Sequence, residues 1–232
     1  MSQSRYAVVM PTYITERWQL IMTLAAVETL RATTDEPFTL IVPNRVGNFE
    51  QELTEFLADD HVIGIPNSDS RSVNHDTNLG FRLAAEEGHE FVIYTGNDVF
   101  TRPRWLDGLV ECFKHDPRCG IATLMPSENR SLLHNPRGIQ EGVYGPFMMF
   151  RAGWEFDADE FPGVFGDTDF VVRHYREGFR AYRNNEHTIY HFLHQTAIFG
   201  PEAYQAALAR FRARHDGCGL VVQRMLAQGG MF

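Results

Sequence analysis

Apolar and polar positions along this 232-residue chain follow a repeating order: a short apolar run, a polar turn, then an amphipathic stretch. Tyr6–Met10 is a compact apolar run ending at Pro11, where a strand is predicted to stop because proline brings no N–H to a ladder. From Glu16 to Arg31, Trp18, Ile21, Met22, Ala25 and Leu30 recur at helical spacing. Phe38–Val42 reads as a second buried strand closed by Pro43 and Asn44, Phe49–Leu57 as a second helix, and His61–Ile65 as a short strand. Asn78–Glu87 is predicted helical and stopped by Gly88. Phe91–Tyr94 is a fourth strand running into Thr95-Gly96-Asn97-Asp98. Three strand–helix–strand passages within the first hundred residues predict an α/β protein: a mostly parallel central sheet with helices on both faces. Ligands of such sheets gather at the carboxyl ends of the strands. Those ends carry Pro11-Thr12-Tyr13, Pro43-Asn44-Arg45, a loop over Asn67–Asn78, and Asn97-Asp98.

The second half is less regular. A helix is predicted over Trp105–His115, a strand over Gly120–Met125, a polar loop over Ser127–Gly142 and a strand over Gly145–Arg151. Asp167–Glu177 follows as a helix, Phe179–Arg183 and Thr188–Phe192 as two short strands, and Pro201–His215 as a last helix. No internal repeat or linker interrupts the pattern, so one continuous domain over 1–232 is expected. Its parts are a first half to about residue 100, a second to about 200, and a helical extension over 201–232.

Composition narrows the classes. Hydrophobic residues make up 44% and charged residues 22%, the balance of a folded globular chain. A net charge of −9 gives no global field for gathering polyanions, which argues against a general binder of nucleic acid or membrane surfaces. No apolar run reaches the length of a membrane span, and Ser2 to Arg5 lead directly into a strand. Cys112, Cys119 and Cys218 have no CxxC spacing, so no disulfide framework is expected and a reducing, cytoplasmic setting fits.

Three clusters carry candidate chemistry. Asp98, at the end of a buried strand, is placed to hold a hard divalent cation, although Gly-Asn-Asp is also ordinary turn chemistry. Asp167 and Asp169 open a helix, where the dipole favours their charge; at i and i+2 they cannot share a face, and capping alone would also explain Asp167. His187, His191 and His194 fall within eight residues, but no HExxH is present, so a histidine-rich metalloenzyme rests on that cluster alone. Weaker candidates are Gly145-Pro146-Phe147-Met148-Met149-Phe150 as an acceptor pocket, and Arg71, Arg102, Arg104 and Arg130 as phosphate contacts. GxGxxG, Walker A and GxSxG motifs are absent.

The order of these signals carries more than any one of them. Val8-Val9-Met10-Pro11-Thr12-Tyr13 precedes Asn78-Leu79-Gly80-Phe81, then Gly96-Asn97-Asp98-Val99 with Pro103-x-Trp105-Leu106. Phe156-Asp157, Gly166-Asp167-Thr168-Asp169-Phe170, Arg173, Gly178 and His191…Thr196 complete the series. Over residues 6–196 this resembles the family-2 inverting glycosyltransferases with the GT-A (Rossmann-like) fold. The resemblance implies a nucleotide-sugar donor, with UDP expected, and places Pro11, Thr12, Tyr13 and Asn44 at the base. It puts Asn78 and Gly80 on a loop near the ribose and phosphates, and Asn97 and Asp98 at the diphosphate. It implies a divalent metal, Mn2+ or Mg2+, held by Asp98 and His191, and Asp167 as catalytic base. The chain departs from the family at Asn44, Gly96 and Gly166, where relatives carry acidic residues. The implied reaction is a single inverting displacement onto an acceptor hydroxyl of a glycan, a small molecule or a hydroxymethylated nucleic-acid base. A nucleic-acid acceptor calls for a local groove, for which Arg102, Arg104, Arg130 and Arg137 are the candidates. The departures at Gly96 and Gly166 motivate a second reading, a non-catalytic nucleotide-sugar-binding protein of the same fold.

Overall fold

A computed structural model describes residues 4–34, 36–45, 47–58, 62–127, 137–192 and 201–215. Arg130, His194, Thr196 and Cys218 lie outside the described residues. The strands are β1 (Tyr6–Val9), β2 (Thr12–Tyr13), β3 (Phe38–Arg45), β4 (Val62–Asn67), β5 (Phe91–Thr95), β6 (Val99–Phe100), β7 (Cys119–Pro126), β8 (Ile139–Glu141), β9 (Phe147–Arg151) and β10 (Arg180–His191). The helices are α1 (Arg17–Ala32), α2 (Glu50–Phe56), α3 (Val73–Glu86), α4 (Trp105–His115), α5 (Gly166–Arg176) and α6 (Pro201–His215).

All ten strands form one sheet in the order β2-β3-β1-β5-β9-β7-β10-β6, with β4 added on β3 and β8 on β10. β1 pairs parallel with β3 and β5, and β10 runs parallel to β7. β9 is inserted antiparallel between β5 and β7. The period-2 alternation of each strand divides the core. Tyr6, Val8, Leu40, Ile93 and Phe147 face a cluster with Leu30 of α1, Leu53 of α2 and Trp105 of α4. Ala7, Val9, Ile41, Met148 and Phe150 face Phe81 of α3 and Phe170 of α5. Helices therefore cover both faces of a mostly parallel sheet, as the apolar runs predict.

Several boundaries differ from the sequence reading, each for a local reason. β3 continues through Pro43. β1 pairs with Phe38–Ile41 and β2 with Asn44–Arg45, so Pro43 lies opposite the break between them and its missing N–H costs nothing on that side. α3 begins five residues before Asn78, because the Ser72 hydroxyl accepts the His75 N–H and caps it. Asn78 and Gly80 thus lie inside a helix, not on a loop. The two strands predicted after Phe179 are one strand, β10, carrying a register shift between Asn184 and Thr188. The predicted polar loop over Ser127–Gly142 contains β8. The segment Phe147–Phe150 is fully buried core, so it lines no acceptor pocket.

α6 is tied down by charge as well as packing. Phe211 and Ala207 pack on Phe161, Phe165 and Val172, while buried Asp169 accepts from Arg173 Nε (2.8 Å) and meets His215 Nε2 (2.9 Å). Arg214 approaches the same Asp169 oxygen at 3.3 Å. Both carboxylate oxygens of Asp169 are engaged, so the second acid of the Asp167-x-Asp169 pair is a structural anchor. Cys112 and Cys119 are buried thiols, and burial pushes Cys112 up to about 12, which leaves it unreactive. Among the described residues no helix is long and apolar enough to cross a membrane.

Candidate functional site

The carboxyl ends of β1, β3 and β5 bring most of the sequence-predicted residues together. Thr12 and Asn44 stand opposite each other in the β2–β3 ladder, and the Thr12 hydroxyl donates to Asn44 Oδ1 (2.8 Å). Tyr13 is 47% exposed, with the Arg45 guanidinium 4.5 Å from its ring centroid. Pro11 is buried at the junction between β1 and β2. Three further predicted residues make contacts within the frame. Asn78 donates to the Phe156 carbonyl (2.8 Å) and accepts the Phe156 N–H (2.9 Å), clamping the segment ahead of α5. Asn97 donates to Thr23 Oγ1 of α1 (2.9 Å). Gly80 sits where a Cβ would come within 2.5 Å of Val9, so its lack of a side chain lets α3 lie close on β1.

Asp98 follows β5 in the turn to β6. His191 reaches it because the end of β10 pairs antiparallel with β6, setting His191 opposite Val99. His191 Nε2 is 3.2 Å from Asp98 Oδ1, and its Nδ1 is 2.5 Å from the Tyr144 hydroxyl. Asp98 and His191 are 3% and 9% exposed. A phenol can donate to or accept from an imidazole nitrogen, so Tyr144 suits either tautomer of His191 and holds its ring in place. An added Cβ at Gly96 would lie 2.7 Å from Asp98 Oδ1, so Asp98 occupies the space beside this departure from the family.

His187 does not join them. Its ring packs over Gly108 of α4, with Nε2 3.5 Å from Glu111, which sets His187 apart from His191. Among the described residues no group of three His, Cys, Asp or Glu side chains gathers for a metal. One carboxylate oxygen and one imidazole nitrogen facing each other still fit a divalent cation that takes its remaining ligands from a diphosphate and water.

Asp167 occupies the first turn of α5, a half-buried position. Its Oδ1 accepts the Thr168 N–H (2.8 Å), while Oδ2 lies against Gly145, where an added Cβ would come within 1.8 Å. Burial raises its pKa, with the Thr168 hydrogen bonds working the other way. A carboxylate with a raised pKa and one oxygen not tied to the helix end is suited to accepting a proton. Phe165, ahead of α5, is left-handed at φ 65°, turning the chain sharply into the helix. Next to it, a Cβ on Gly166 would lie 2.1 Å from Asn74 Nδ2, so the Asn74 amide fills the volume that a side chain at 166 would need. Asn74 itself donates to the Phe161 carbonyl (2.5 Å).

Tyr94, at the end of β5, links the two centres. Its phenol pKa is raised first by burial and then by the charges of Asp167 and Asp98, so both carboxylates lie within electrostatic reach of one side chain. Sequence reasoning passed over Tyr94 and Tyr144; only the strand-end position of Tyr94 marked it. Of the basic candidates, Arg104 pairs with Asp107 (2.9 Å), while Arg71, Arg102 and Arg137 are exposed.

No model of a known protein family matches the sequence, and no curated protein matches it. Solved structures do. Residues 1–349 of S. aureus TarS superpose with a TM-score of 0.62 at 12% identity, over 92% of this chain and 73% of that one. The same TarS fragment in complex with UDP gives 0.67 at 13%, over 90% of this chain and 64% of that one. GalNAc-T7 with UDP, GalNAc and Mn2+ gives 0.62 at 11%, over 80% and 43%. The chain thus spans about two thirds of the UDP-bound TarS fragment and less than half of GalNAc-T7. At these identities the likeness establishes a shared fold, a single α/β Rossmann-like sheet covered by helices.

Proposed function

We propose that this chain is an inverting glycosyltransferase that moves a sugar from a nucleotide-sugar donor, with UDP as the expected nucleotide, to an acceptor hydroxyl. The observation that carries the reading is the convergence of Asp167 and the Asp98–His191 pair around Tyr94 at one end of the sheet. The UDP held by one structural neighbour, and the UDP and Mn2+ held by another, support it. Asp98 and His191 are the residues that would hold a divalent cation, Mn2+ or Mg2+. When bound, it supplies charge neutralisation for the departing diphosphate. Asp167 Oδ2 takes the proton of the acceptor hydroxyl as that oxygen bonds to the anomeric carbon. The bond from that carbon to the diphosphate breaks on the opposite face, and the configuration inverts. Thr168 keeps Asp167 aimed by holding Oδ1, and Tyr144 keeps His191 facing Asp98. The proposed acceptor is a glycan, a small molecule or a modified nucleic-acid base, and the proposed location is cytoplasmic.

The direct test is a thermal-shift panel of nucleotides and nucleotide sugars with and without manganese. A ligand at about 100 times its dissociation constant stabilises by roughly 2.7 kcal/mol. UDP is expected to raise the melting temperature, and manganese to raise it further. No stabilisation by any nucleoside diphosphate overturns the reading. The second reading, a binding protein without transfer, draws on the glycines at 96 and 166; it requires UDP-sugar binding with neither transfer nor donor hydrolysis.

Gly145 offers a sharper check of the base. Gly145→Ala places a methyl group where Asp167 Oδ2 now lies, so the carboxylate must move. A displacement of about 1 Å in a reacting group costs on the order of 10²-fold in rate. Transfer is expected to fall by that order while UDP affinity holds; unchanged transfer argues against the assigned position of the proton acceptor.

A further inference from the structure

Residues directly opposite one another across a sheet point to the same face. Val9 of β1, Tyr94 of β5, Met148 of β9, Thr123 of β7 and Arg183 of β10 form one such row, pair by pair. Val9 and Met148 belong to the cluster under α3 and α5, and Tyr94 packs against it. The row therefore ends with a guanidinium on the face that carries Asp167. With strands about 4.8 Å apart, the Arg183 backbone lies about 5 Å from Thr123 and roughly 14 Å from Tyr94. Thr123 donates to the carbonyls of Tyr144 (3.2 Å) and Phe147 (2.6 Å), the ends of the segment whose Gly145 lies against Asp167. Two residues earlier on β10, Ala181 packs in one cluster with Phe170 and Val171 of α5. Arg183 is one step nearer the carboxyl end, the end at which α5 starts.

This guanidinium is fixed, and no carboxylate among the described residues neutralises it. Its Nε donates to Asn185 Oδ1 (2.9 Å). Asn185 is fully buried and donates to the Gly138 carbonyl through its backbone N–H (3.0 Å) and its side-chain amide (2.9 Å). Arg173 and Arg180 nearby each meet a carboxylate, whereas Arg183 meets none among the described residues. Burial lowers its pKa with no acid opposing the shift, yet arginine stays protonated. A partly buried positive charge that no described carboxylate pairs is costly, and a guanidinium held through Nε presents its terminal nitrogens as a fork for two oxygens.

We propose that Arg183, positioned by Asn185, is an oxyanion-binding site for the acceptor, taking a phosphate or carboxylate group carried near the hydroxyl that Asp167 deprotonates. This rests on the proposed function for the acceptor's role, though not for the anion site itself. The donor diphosphate is the other source of an oxyanion. Its expected place is at Asp98 and His191, where the far end of β10 meets β6, whereas the row from Arg183 leads through Thr123 to the segment whose Gly145 lies against Asp167, which favours the acceptor.

Inorganic phosphate is the probe, titrated into the full chain with and without saturating UDP and Mg2+, for wild type, Arg183→Gln and Arg183→Lys. Phosphate is expected to bind the UDP-loaded protein. Arg183→Gln is expected to weaken phosphate by about tenfold or more, the scale of a charged hydrogen bond, with UDP affinity unchanged. Arg183→Lys keeps the charge without the fork and is expected to fall between; it carries the test if Arg183→Gln does not fold. Phosphate binding that neither variant alters, or no phosphate binding, overturns the site. Displacement of phosphate by UDP overturns its assignment to the acceptor. If UDP fails to bind while phosphate binds and depends on Arg183, the anion site stands and the donor reading fails.

Discussion

Asp167→Asn is expected to bind donor normally and to lose sugar transfer by about two to four orders of magnitude, the range for removing a general base. The amide is nearly isosteric, its oxygen still accepts the Thr168 N–H, and it keeps the capping ability of the helix start. It cannot take a proton. The direction of the Asp167 shift adds two results. Because burial raises its pKa, the acid limb of the rate profile should lie above that of an ordinary carboxylate, with activity rising as pH rises through that limb. The same shift means that the folded state holds the proton more tightly than the unfolded chain. The stability this contributes is full below the unfolded pKa and is lost as pH rises through the folded one. Asp167→Asn should therefore melt at or above wild type near neutral pH, with the difference closing in acid. Transfer, donor binding and melting temperature measured on one preparation separate base from cap. Near-wild-type transfer removes Asp167 from the mechanism, and Asp169 cannot replace it, since Arg173 and His215 already engage both its oxygens.

The second large effect belongs to Asp98. Asp98→Ala removes the only carboxylate facing His191 Nε2 among the described residues, and metal-enhanced UDP binding should disappear. His191→Ala should weaken the enhancement less, because diphosphate and water can take the place of one nitrogen. Titrating UDP with and without manganese against both variants reads this directly. Wild-type metal dependence in both would show that the pair is a structural contact between β6 and β10 and not a shared cation site.

Much of the architecture is legible in the linear pattern. α4 over Trp105–His115 and α6 over Pro201–His215 match the apolar spacing at both ends, and β1 stops ahead of Pro11. These elements are long enough, or bounded by strong enough breakers, for local preference to decide them. Two-residue strands such as β2 and β6 carry no periodic signal, because only their partners β3 and β10 define them. The single strand β10 is hidden for a related reason: its irregular stretch between Asn184 and Thr188 breaks the alternation and reads as a gap. Asn78, Asn97 and Gly80 are polar or small residues of the kind found at ligands; here Asn78 bonds the Phe156 backbone, Asn97 the Thr23 hydroxyl, and Gly80 lets α3 lie close on β1. Spacing alone does not distinguish a buried amide that holds a loop from one that holds a nucleotide.

By itself the sequence determined most of the buried strands, that they lie mostly parallel under helices, and hence that Asp98 stands at a sheet's carboxyl end while Asp167 opens a helix. Those results depend on local periodicity and on turn residues, which each stretch carries within itself. The tertiary structure alone decided that His191 meets Asp98, that Tyr144 holds that histidine, and that Asp167 lies against Gly145 while Asp169 turns to Arg173 and His215. The physical reason is that each of these contacts except the Arg173 pair joins residues far apart in the chain, and their geometry follows from strand order and from where a missing side chain leaves room.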